Sequence, residues 1–374
     1  MPGYRRPNGK DVFTSSVDRM IELYEVAEDE IVVSFSAGKD SMAVLEIATI
    51  AAKITDRLPV KVLMRDEEIM YPGTFEYAER TAARSDIEFH WIYACQPIIN
   101  VFNRESPYFW VFDPDLDPDE WVRRPPDIAY KIPELNINEM ITKKRFPTEG
   151  ELWQVTGIRA AESTARRYSV FSAKGWKTKP NRLGTRAARP IFDWTDGDIW
   201  KAAKDGSWDY NHAYDTLFRM GVPASRLRIA PPTMSAAGVD SLALSQRAWP
   251  QWFNAVAKRC PGVRTAAKFG KRVVTPTRRA GELWAETFQR ECIDEAPAWI
   301  ADRAKKVSGD MLRMHRRHST EPYSDTKPCM NCVGSMGSWR TLASALYGGD
   351  PFCLKVGKLV PYIEPEFFKA GSGT

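Results

Sequence analysis

The chain has 374 residues, of which 43% are hydrophobic, so it can bury a substantial core and is long enough for two domains. Its formal net charge of +5 is a mild excess, which permits a nucleotide or nucleic-acid partner without requiring one. No run of about 18 apolar residues occurs, so we expect no membrane span. The polar stretch 1–10 lacks the apolar segment of a signal peptide, and a cytoplasmic protein is predicted.

The first predicted strand and the helix after it flank a short polar loop. A helix is predicted over residues 11–27, and Ile31 to Phe35 are mostly β-branched or aromatic, as in a buried strand. A helical pattern of apolar residues begins at Met42, and the residues between are small or polar. The first N–H groups of a helix lack intrahelical partners and carry partial positive charge, so this junction is predicted to bind a phosphate. We expect the polar side chains of the loop to face that ligand.

Strands and helices alternate through the first part of the chain. Strands are predicted at 59–64, 89–93 and 152–156, with a helix from Thr74 between the first two. This alternation predicts a doubly wound parallel α/β sheet. Ligands of such sheets bind at the carboxyl ends of the strands, so the polar loop and Asp66, which follows the second strand, are expected to face one ligand.

Residues 97–150 interrupt the alternation with a Pro-rich stretch that contains an acidic run from Asp113 to Glu120 and the basic pair Arg123 and Arg124. We interpret this stretch as an insertion or lid over the pocket. A solvated surface excursion explains the acidic run equally well.

No strand pattern recurs beyond about residue 236. Helical spacing of apolar residues is present over 242–256, 281–292 and 296–314 instead. The sequence therefore predicts a nucleotide-binding domain at residues 1–235 with the insertion at 97–150, followed by a helical, cysteine-containing domain at residues 236–374.

A basic segment follows the strand at 152–156. Gly157 stands at the strand end, where a glycine lets a ligand approach the backbone, and Arg159 and Arg166 follow it. Guanidinium groups bind polyphosphate through charge-assisted hydrogen bonds. We expect Glu162 to pair with one of these arginines and to orient it. A basic helix start on the surface is the alternative for this segment.

Six cysteines are present, and structural disulfides are not expected in a cytosolic chain. Cys329 and Cys332 form the one Cys-x-x-Cys pair, which could supply half of a metal site or act as a redox pair. Cys292 and Cys260 are candidates for the other half, ahead of Cys353. Zinc binding, a dithiol and simple packing all stay open at this point.

The loop Ser36-Ala37-Gly38-Lys39-Asp40-Ser41 follows the order Ser-x-Gly-x-Asp-Ser and resembles the PP-loop of ATP pyrophosphatases. With Gly157-Ile158-Arg159-Ala160-Ala161-Glu162-Ser163, the chain resembles the phosphoadenosine phosphosulfate reductase family. The resemblance is closest to the branch labelled phosphoadenosine phosphosulfate sulfurtransferase, which includes immunoglobulin-binding regulator A proteins. Two departures stand out. Ala37 replaces the usual glycine, and the Glu-Cys-Gly-x-His tail of the reductases does not occur in the sequence.

The resemblance implies an enzyme that binds ATP or phosphoadenosine phosphosulfate with Mg²⁺ and cleaves at the α-phosphate, in sulfur transfer or sulfonucleotide metabolism. Lys39 would supply a counter-charge, Asp40 would bind Mg²⁺ or fix the loop, and Asp66 would meet the adenosine. The catalytic groups would be Lys39, Asp40, Arg159 and Arg166. The nucleotide contacts would be Ser34, Ser36, Ala37, Gly38, Ser41, Asp66, Gly157, Glu162 and Ser163.

The resemblance also implies an alternative function. Members of this branch are regulators associated with a ParB-like partner, so the chain could be a nucleotide-binding regulatory protein that acts with a ParB-like or DNA-associated partner without turnover. Related PP-loop enzymes that move sulfur carry iron–sulfur clusters. A cluster therefore joins zinc as a candidate for the site at Cys329, Cys332, Cys292 and Cys260.

Overall fold

The computed structural model describes residues 9–26, 30–133, 140–173, 175–181, 183–224, 227–234, 238–329, 337–351 and 353–360. The chain divides into two compact units, one of residues 1–96 with 112–230 and the other of residues 97–111 with 231–374. The stretch 97–150, which the sequence sets apart as a single insertion, is thus divided between the two units.

The secondary structure elements are numbered in chain order. The strands are β1 (Glu30–Phe35), β2 (Val60–Arg65), β3 (Ile87–Tyr93), β4 (Gln96–Ile99), β5 (Tyr108–Val111), β6 (Tyr130–Lys131), β7 (Leu152–Val155) and β8 (Thr185–Ala188). The helices are α1 (Val12–Val26), α2 (Lys39–Ile54), α3 (Pro72–Ala82), α4 (Thr164–Ser172), α5 (Asp196–Asp205), α6 (Ala213–Arg219), α7 (Gly238–Ala248), α8 (Pro250–Arg259), α9 (Val263–Phe269), α10 (Trp284–Gln289), α11 (Ala298–His318) and α12 (Trp339–Leu346).

The first unit is built on a six-stranded sheet in the order β6-β3-β2-β1-β7-β8. Every neighbouring pair in it is parallel. From β1 the chain proceeds through β2 to β3 on one side and through β7 to β8 on the other, so the strand order reverses at β1. The predicted doubly wound parallel sheet is confirmed, and its switch point lies between β1 and β7.

Successive residues of the strands face opposite sides of the sheet. On one side, β1 contributes Ile31, Val33 and Phe35 to a core that also holds buried side chains of α1, α2, α3 and α5. On the other side, Val32 of β1 packs in a smaller cluster that contains no helical residue among those described. Its members include Leu63 and Leu152 of the neighbouring strands, and Ile132, Ile141 and Phe146. The burial of both faces explains why β1 has a nearly continuous apolar sequence.

The second unit contains the two-stranded sheet of β4 and β5 and the helices from α7 to α12. The predicted helical C-terminal region is confirmed. The helix expected over 242–256 is two helices, because Pro250 lacks an N–H group and begins α8. No helix among the described residues is long and apolar enough to cross a membrane.

Candidate functional site

The candidate site begins at the loop between β1 and α2, next to the switch point of the sheet. Ala37 has a φ of 55° and a completely buried side chain. The left-handed conformation costs a residue with a Cβ roughly 1–2 kcal/mol, which gives a physical reason for glycine at this position of the PP-loop pattern. The chain therefore holds a strained backbone where the pattern expects a ligand contact.

Ser41 holds the loop in place from inside. Its Oγ accepts hydrogen bonds from the N–H groups of Ser36 at 3.2 Å and Gly38 at 3.1 Å, and lies 3.3 Å from the Ser36 hydroxyl. Ser41 itself is only 5% exposed. The backbone donors predicted to meet a phosphate are therefore occupied by this hydroxyl, and a bound phosphate would have to share or replace it.

Tyr214 of α6 occupies the next donor of the loop. Its hydroxyl accepts the N–H group of Lys39 at 3.0 Å. Burial raises the pKa of the Tyr214 phenol, so the side chain is a neutral hydrogen-bond partner. The predicted site residues do not include Tyr214.

Two cations and two carboxylates form a closed network below the loop. Lys39 Nζ lies 2.9 Å from Asp40 Oδ2 and 3.2 Å from Asp196 Oδ1. Arg159 Nε lies 2.6 Å from Asp40 Oδ1, and its Nη2 lies 2.8 Å from Asp196 Oδ1. Burial disfavours the ionised form of Asp196, but Lys39 and Arg159 outweigh burial and lower its pKa. The four charges sum to zero.

This network corrects the expectation that the polar side chains of the loop all face the ligand. Arg159 is 1% exposed and also donates to the carbonyl of Trp194, so its guanidinium is engaged within the protein. Asp40 binds a cation with each of its oxygen atoms. Asp196 is missed as a site residue by sequence analysis. It begins α5, capped by Thr195, and its position beside Arg159 depends on the tertiary fold.

Gly157 brings the end of β7 against the start of α2. A Cβ atom added at Gly157 would lie 2.8 Å from both the carbonyl carbon and the carbonyl oxygen of Asp40. A side chain therefore cannot be accommodated without a shift of the backbone. Gly157 was expected to let a ligand approach the backbone. Its small size instead allows the loop after β7 to pack against the first turn of α2.

Glu162, Ser163 and Arg166 form a second polar group at the start of α4. Ser163 caps the helix by accepting the N–H of Arg166 at 3.1 Å. Glu162 forms an ion pair with Arg166 and accepts the N–H of Arg159 at 3.1 Å. The pairing expected of Glu162 is thus made with Arg166, whose side chain is 47% exposed. Of the two arginines predicted to be catalytic, Arg166 is the one that solvent reaches.

Asp66 lies at the carboxyl end of β2 and is completely buried. Its oxygen atoms accept hydrogen bonds from Trp91 Nε1 and the N–H of Glu68, both at 2.9 Å, and it forms an ion pair with Arg123. Burial raises the pKa of Asp66, and Arg123 partly offsets that effect. Protein groups therefore bind the carboxylate that was expected to meet adenosine. Arg123 comes from the predicted insertion, which Asp66 helps to fasten to the sheet.

Ser34 differs from the other predicted contacts because it points to the opposite side of β1 from Val33 and Phe35. It is paired in register with Leu63, a member of the cluster on that face. Its Oγ accepts a hydrogen bond from Gln154 Nε2 of β7 at 2.8 Å.

The described cysteines do not converge on one site. Cys292 is fully buried, donates to the carbonyl of Ala343 at 3.8 Å, and has its pKa raised to about 12 by burial. Cys292 packs with Phe288 and Leu342, in a cluster that does not contain Cys260. Among the residues that the structure describes, no group of three or more His, Cys, Asp or Glu side chains could hold a metal ion. Cys332 lies outside the described residues.

A cavity of about 550 Å³ lies beside the loop and shares Tyr214 with it. Its walls come from α5, α6 and the chain between and after them. Five of the eleven lining side chains are aromatic: Trp200, Trp208, Tyr210, Tyr214 and Phe218.

No family model matches the chain. The chain is 28% identical over 357 residues to the uncharacterized protein YbdN of Escherichia coli K12. That match covers 86% of this chain and 84% of YbdN. It is 23% identical over 217 residues to an adenosine 5'-phosphosulfate reductase of Oceanobacillus iheyensis. That match covers 54% of this chain and 73% of the reductase.

Two solved structures of low similarity complete the comparison. The FMN adenylyltransferase of Candida glabrata in complex with ATP is 13% identical, with a TM-score of 0.36. The match covers 57% of this chain and 63% of the adenylyltransferase, less than two thirds of its length. The phosphoadenylyl-sulfate reductase of Candida auris is 12% identical, with a TM-score of 0.32, and the match covers 55% of this chain and 85% of the reductase.

Proposed function

We propose that the chain is a PP-loop nucleotide enzyme that binds ATP or a sulfated adenylate and cleaves it at the α-phosphate, in sulfur transfer or sulfonucleotide metabolism. The observation that carries this proposal is the position of the Ser36–Ser41 loop. The loop lies at the switch point of a parallel sheet, at the start of a 16-residue helix, and against the glycine that ends β7. Open α/β sheets bind their ligands at this position.

The β,γ-phosphates would bind to the N–H groups at the start of α2. Those of Gly38 and Lys39 now donate to the side chains of Ser41 and Tyr214, which are neutral acceptors. A phosphate oxygen is a stronger acceptor because it is charged. Phosphate binding would therefore displace the Tyr214 hydroxyl from the N–H group of Lys39.

Asp40 and Asp196 are the residues that would hold Mg²⁺. Their carboxylates lie on either side of Lys39 and Arg159, and both side chains are partly exposed, 23% and 43% respectively. One or two carboxylates together with substrate phosphates are the usual ligands of Mg²⁺. Each oxygen of Asp40 is paired with a cation of the protein, so Asp40 would exchange one of these pairs for the ion. When bound, Mg²⁺ would neutralise part of the phosphate charge.

The two arginines would have different roles. Arg159 is buried and would position Asp40 and Asp196 rather than touch the nucleotide. Arg166 is half exposed, and Glu162 orients it beside the loop after β7. We assign Arg166 to the negative charge that develops on the transferred group, where a fixed guanidinium is most effective.

The sulfur chemistry is supported by the similarity to an adenosine 5'-phosphosulfate reductase over 54% of the chain. Within that similarity we assign transfer or activation of a sulfur group. Cys329 and Cys332 stay the proposed metal pair, for an iron–sulfur cluster or zinc. The apolar surroundings of Cys292 argue against it as a thiolate ligand.

The experiment measures release of pyrophosphate from ATP and release of sulfate from adenosine 5'-phosphosulfate, both in the presence of Mg²⁺. The account predicts multiple turnovers by the wild type and at least about a hundredfold loss in Asp40→Asn, because the variant lacks the charge that would hold the ion. Asp18→Asn is the matched control, since Asp18 forms only an exposed pair with Lys10. Binding of neither nucleotide by the wild type would overturn the proposal.

A nucleotide-binding regulator without turnover is the second candidate. The observation that favours it is that Lys39 and Arg159 are both paired with Asp40 and Asp196, so neither cation is available to stabilise charge that develops during cleavage. Tight ATP binding with no pyrophosphate released beyond one equivalent would support the regulator. The ParB-like partner that accompanies this reading stays a prediction.

A further inference from the structure

Arg189 is a buried cation in which two of the three guanidinium nitrogens, Nε and Nη1, have no hydrogen-bond partner among the described residues. It follows β8 directly and is 9% exposed. Burial lowers the pKa of this arginine. A buried charge without a partner destabilises a folded protein. Such a group is therefore expected to have a ligand that compensates for the cost.

The backbone on both sides of Arg189 is firmly held. Its N–H donates to the carbonyl of Trp176 at 2.8 Å, and its own carbonyl accepts the N–H of Phe192 at 3.1 Å. The next carbonyl, that of Pro190, accepts hydrogen bonds from Ser16 and Arg19. A residue before proline is restricted to extended conformations. Arg189 therefore continues the alternation of β8, and its position does not depend on a mobile loop.

The register of the sheet places Arg189 in a row of polar residues. Val33, Val155 and Ala188 are paired across β1, β7 and β8, and all three face the core that contains α1 and α2. One residue farther along each strand come Ser34, Thr156 and Arg189, which by alternation point to the opposite face. The same face is apolar at the amino-terminal half of the strands, where Val32 and Leu152 lie. The change to polar side chains occurs at the carboxyl ends, next to the switch point.

We propose that Arg189, with Thr156 and Ser34, forms a binding site for a tetrahedral oxyanion, a phosphate or a sulfate, on the sheet face opposite α1 and α2. Thr156 and Ser34 are half-buried hydroxyls. Ser34 accepts from Gln154, and Thr156 makes a long bond of 3.5 Å to the Ala188 carbonyl, which it could exchange for an oxyanion. Arg189 supplies the charge and a planar pair of N–H donors. Ser34, at one end of this row, lies two residues before the Ser36–Ser41 loop. Arg189, at the other end, lies two strand spacings from β1, or about 10 Å. A nucleotide with its phosphates at the loop and a second anionic group elsewhere could reach both.

The test compares thermal unfolding of the wild type, Arg189→Met, Arg189→Lys and Arg186→Met as sodium sulfate or sodium phosphate replaces sodium chloride at constant ionic strength. Arg186→Met is the matched control, because Arg186 lies on the same strand and pairs with Glu151. Without sulfate or phosphate, Arg189→Met should unfold at or above the wild-type midpoint, since an unpaired buried charge is gone. It should lose the sulfate-dependent rise that the wild type and Arg186→Met retain.

Arg189→Lys keeps the charge and should retain part of the rise, which covers the case in which Arg189→Met folds poorly. Equal sulfate responses in Arg189→Met and Arg186→Met would overturn the proposal, as would equal responses in Arg189→Met and Arg189→Lys. General stabilisation by sulfate acts on every variant alike.

A calorimetric arm then identifies the source of the oxyanion, and only this arm rests on the proposed function. If the oxyanion belongs to a sulfated adenylate, Arg189→Met should bind phosphoadenosine phosphosulfate about tenfold or more weakly and ATP unchanged. If it is a free ion, both nucleotide affinities stay unchanged while the sulfate response is lost. If the wild type binds neither nucleotide but shows a sulfate response that depends on Arg189, the proposed function is wrong and the oxyanion site is supported.

Discussion

Arg159 Nε donates to Asp40 Oδ1 at 2.6 Å and thereby joins the loop after β7 to the first turn of α2. The two elements come from strands on either side of the switch point, so this bond closes the candidate site across its centre. Arg159 is almost completely buried, and the bond is therefore part of the fold as well as of the site.

Arg159→Ala should destabilise the protein by about 1.5–3 kcal/mol, because a buried guanidinium loses its hydrogen bonds to Asp40 and Asp196, both of which keep Lys39 as a partner. Urea unfolding measures the change. Arg166→Ala is the control, since an exposed ion pair contributes only about 0–1 kcal/mol. Equal free-energy changes in the two variants would contradict the different roles assigned to these arginines.

Gly157→Ala should lower the free energy of unfolding by about 1–3 kcal/mol, because the new methyl group has to displace the backbone of Asp40. ATP affinity measured by calorimetry should fall as well, since the displacement moves the first turn of α2. Gly175→Ala is the matched control, because a Cβ atom there meets nothing within 4 Å. Wild-type affinity in Gly157→Ala would show that the contact does not shape the site.

Tyr214→Phe should cost about 0.5–1.5 kcal/mol of stability, the usual net contribution of one hydrogen bond. The Lys39 N–H loses its internal acceptor in this variant, so ATP should bind at least as tightly as to the wild type. Tyr210→Phe removes a hydroxyl that binds Asp215 instead and should leave ATP affinity unchanged. A large loss of affinity in Tyr214→Phe would mean that the phenol contacts the nucleotide directly.

Asp196 predicts a dependence of stability on pH. Its pKa in the folded protein is below the ordinary value of 3.8. The ionised carboxylate therefore contributes stability above that pH, and the contribution is lost as the pH falls through the lower folded value. Asp196→Asn should be less stable than the wild type at pH 7, and the difference should shrink below pH 3.8. A difference that stays constant as the pH falls well below 3.8 would exclude this ion pair as its source.

The sheet and the Ser36–Ser41 loop could be predicted from the sequence because both depend on local patterns. The apolar runs of β1 and β7 predict strands, and the small residues around Gly38 predict a loop before a helix. Neither prediction needs information from the rest of the chain. β8 was missed because Thr185 to Ala188 is short and carries no β-branched apolar run. Its pairing with β7 supplies what its sequence lacks.

The partners of the site residues were not accessible in the same way. Asp66 and Asp40 are carboxylates after strand ends, and a sequence does not tell whether such groups face a ligand or a cation of the protein. The cations arrive from far along the chain: Arg123 reaches Asp66 across 57 positions, and Arg159 reaches Asp40 across 119. Contacts between residues this far apart in the sequence determine which groups each carboxylate binds, and local sequence patterns do not reveal them.

The most direct test of the account compares ATP binding by the wild type and by Gly38→Ala, measured by calorimetry with Mg²⁺ present. Gly38 has a φ of −87°, and an added Cβ would meet no atom closer than 3.4 Å, so the variant should fold with the wild-type unfolding midpoint. The methyl group would stand where a phosphate has to approach the start of α2. The account predicts wild-type binding and at least about a tenfold loss in Gly38→Ala. Equal affinity in the two proteins, or no binding of ATP and sulfated adenylates to the wild type, would contradict it.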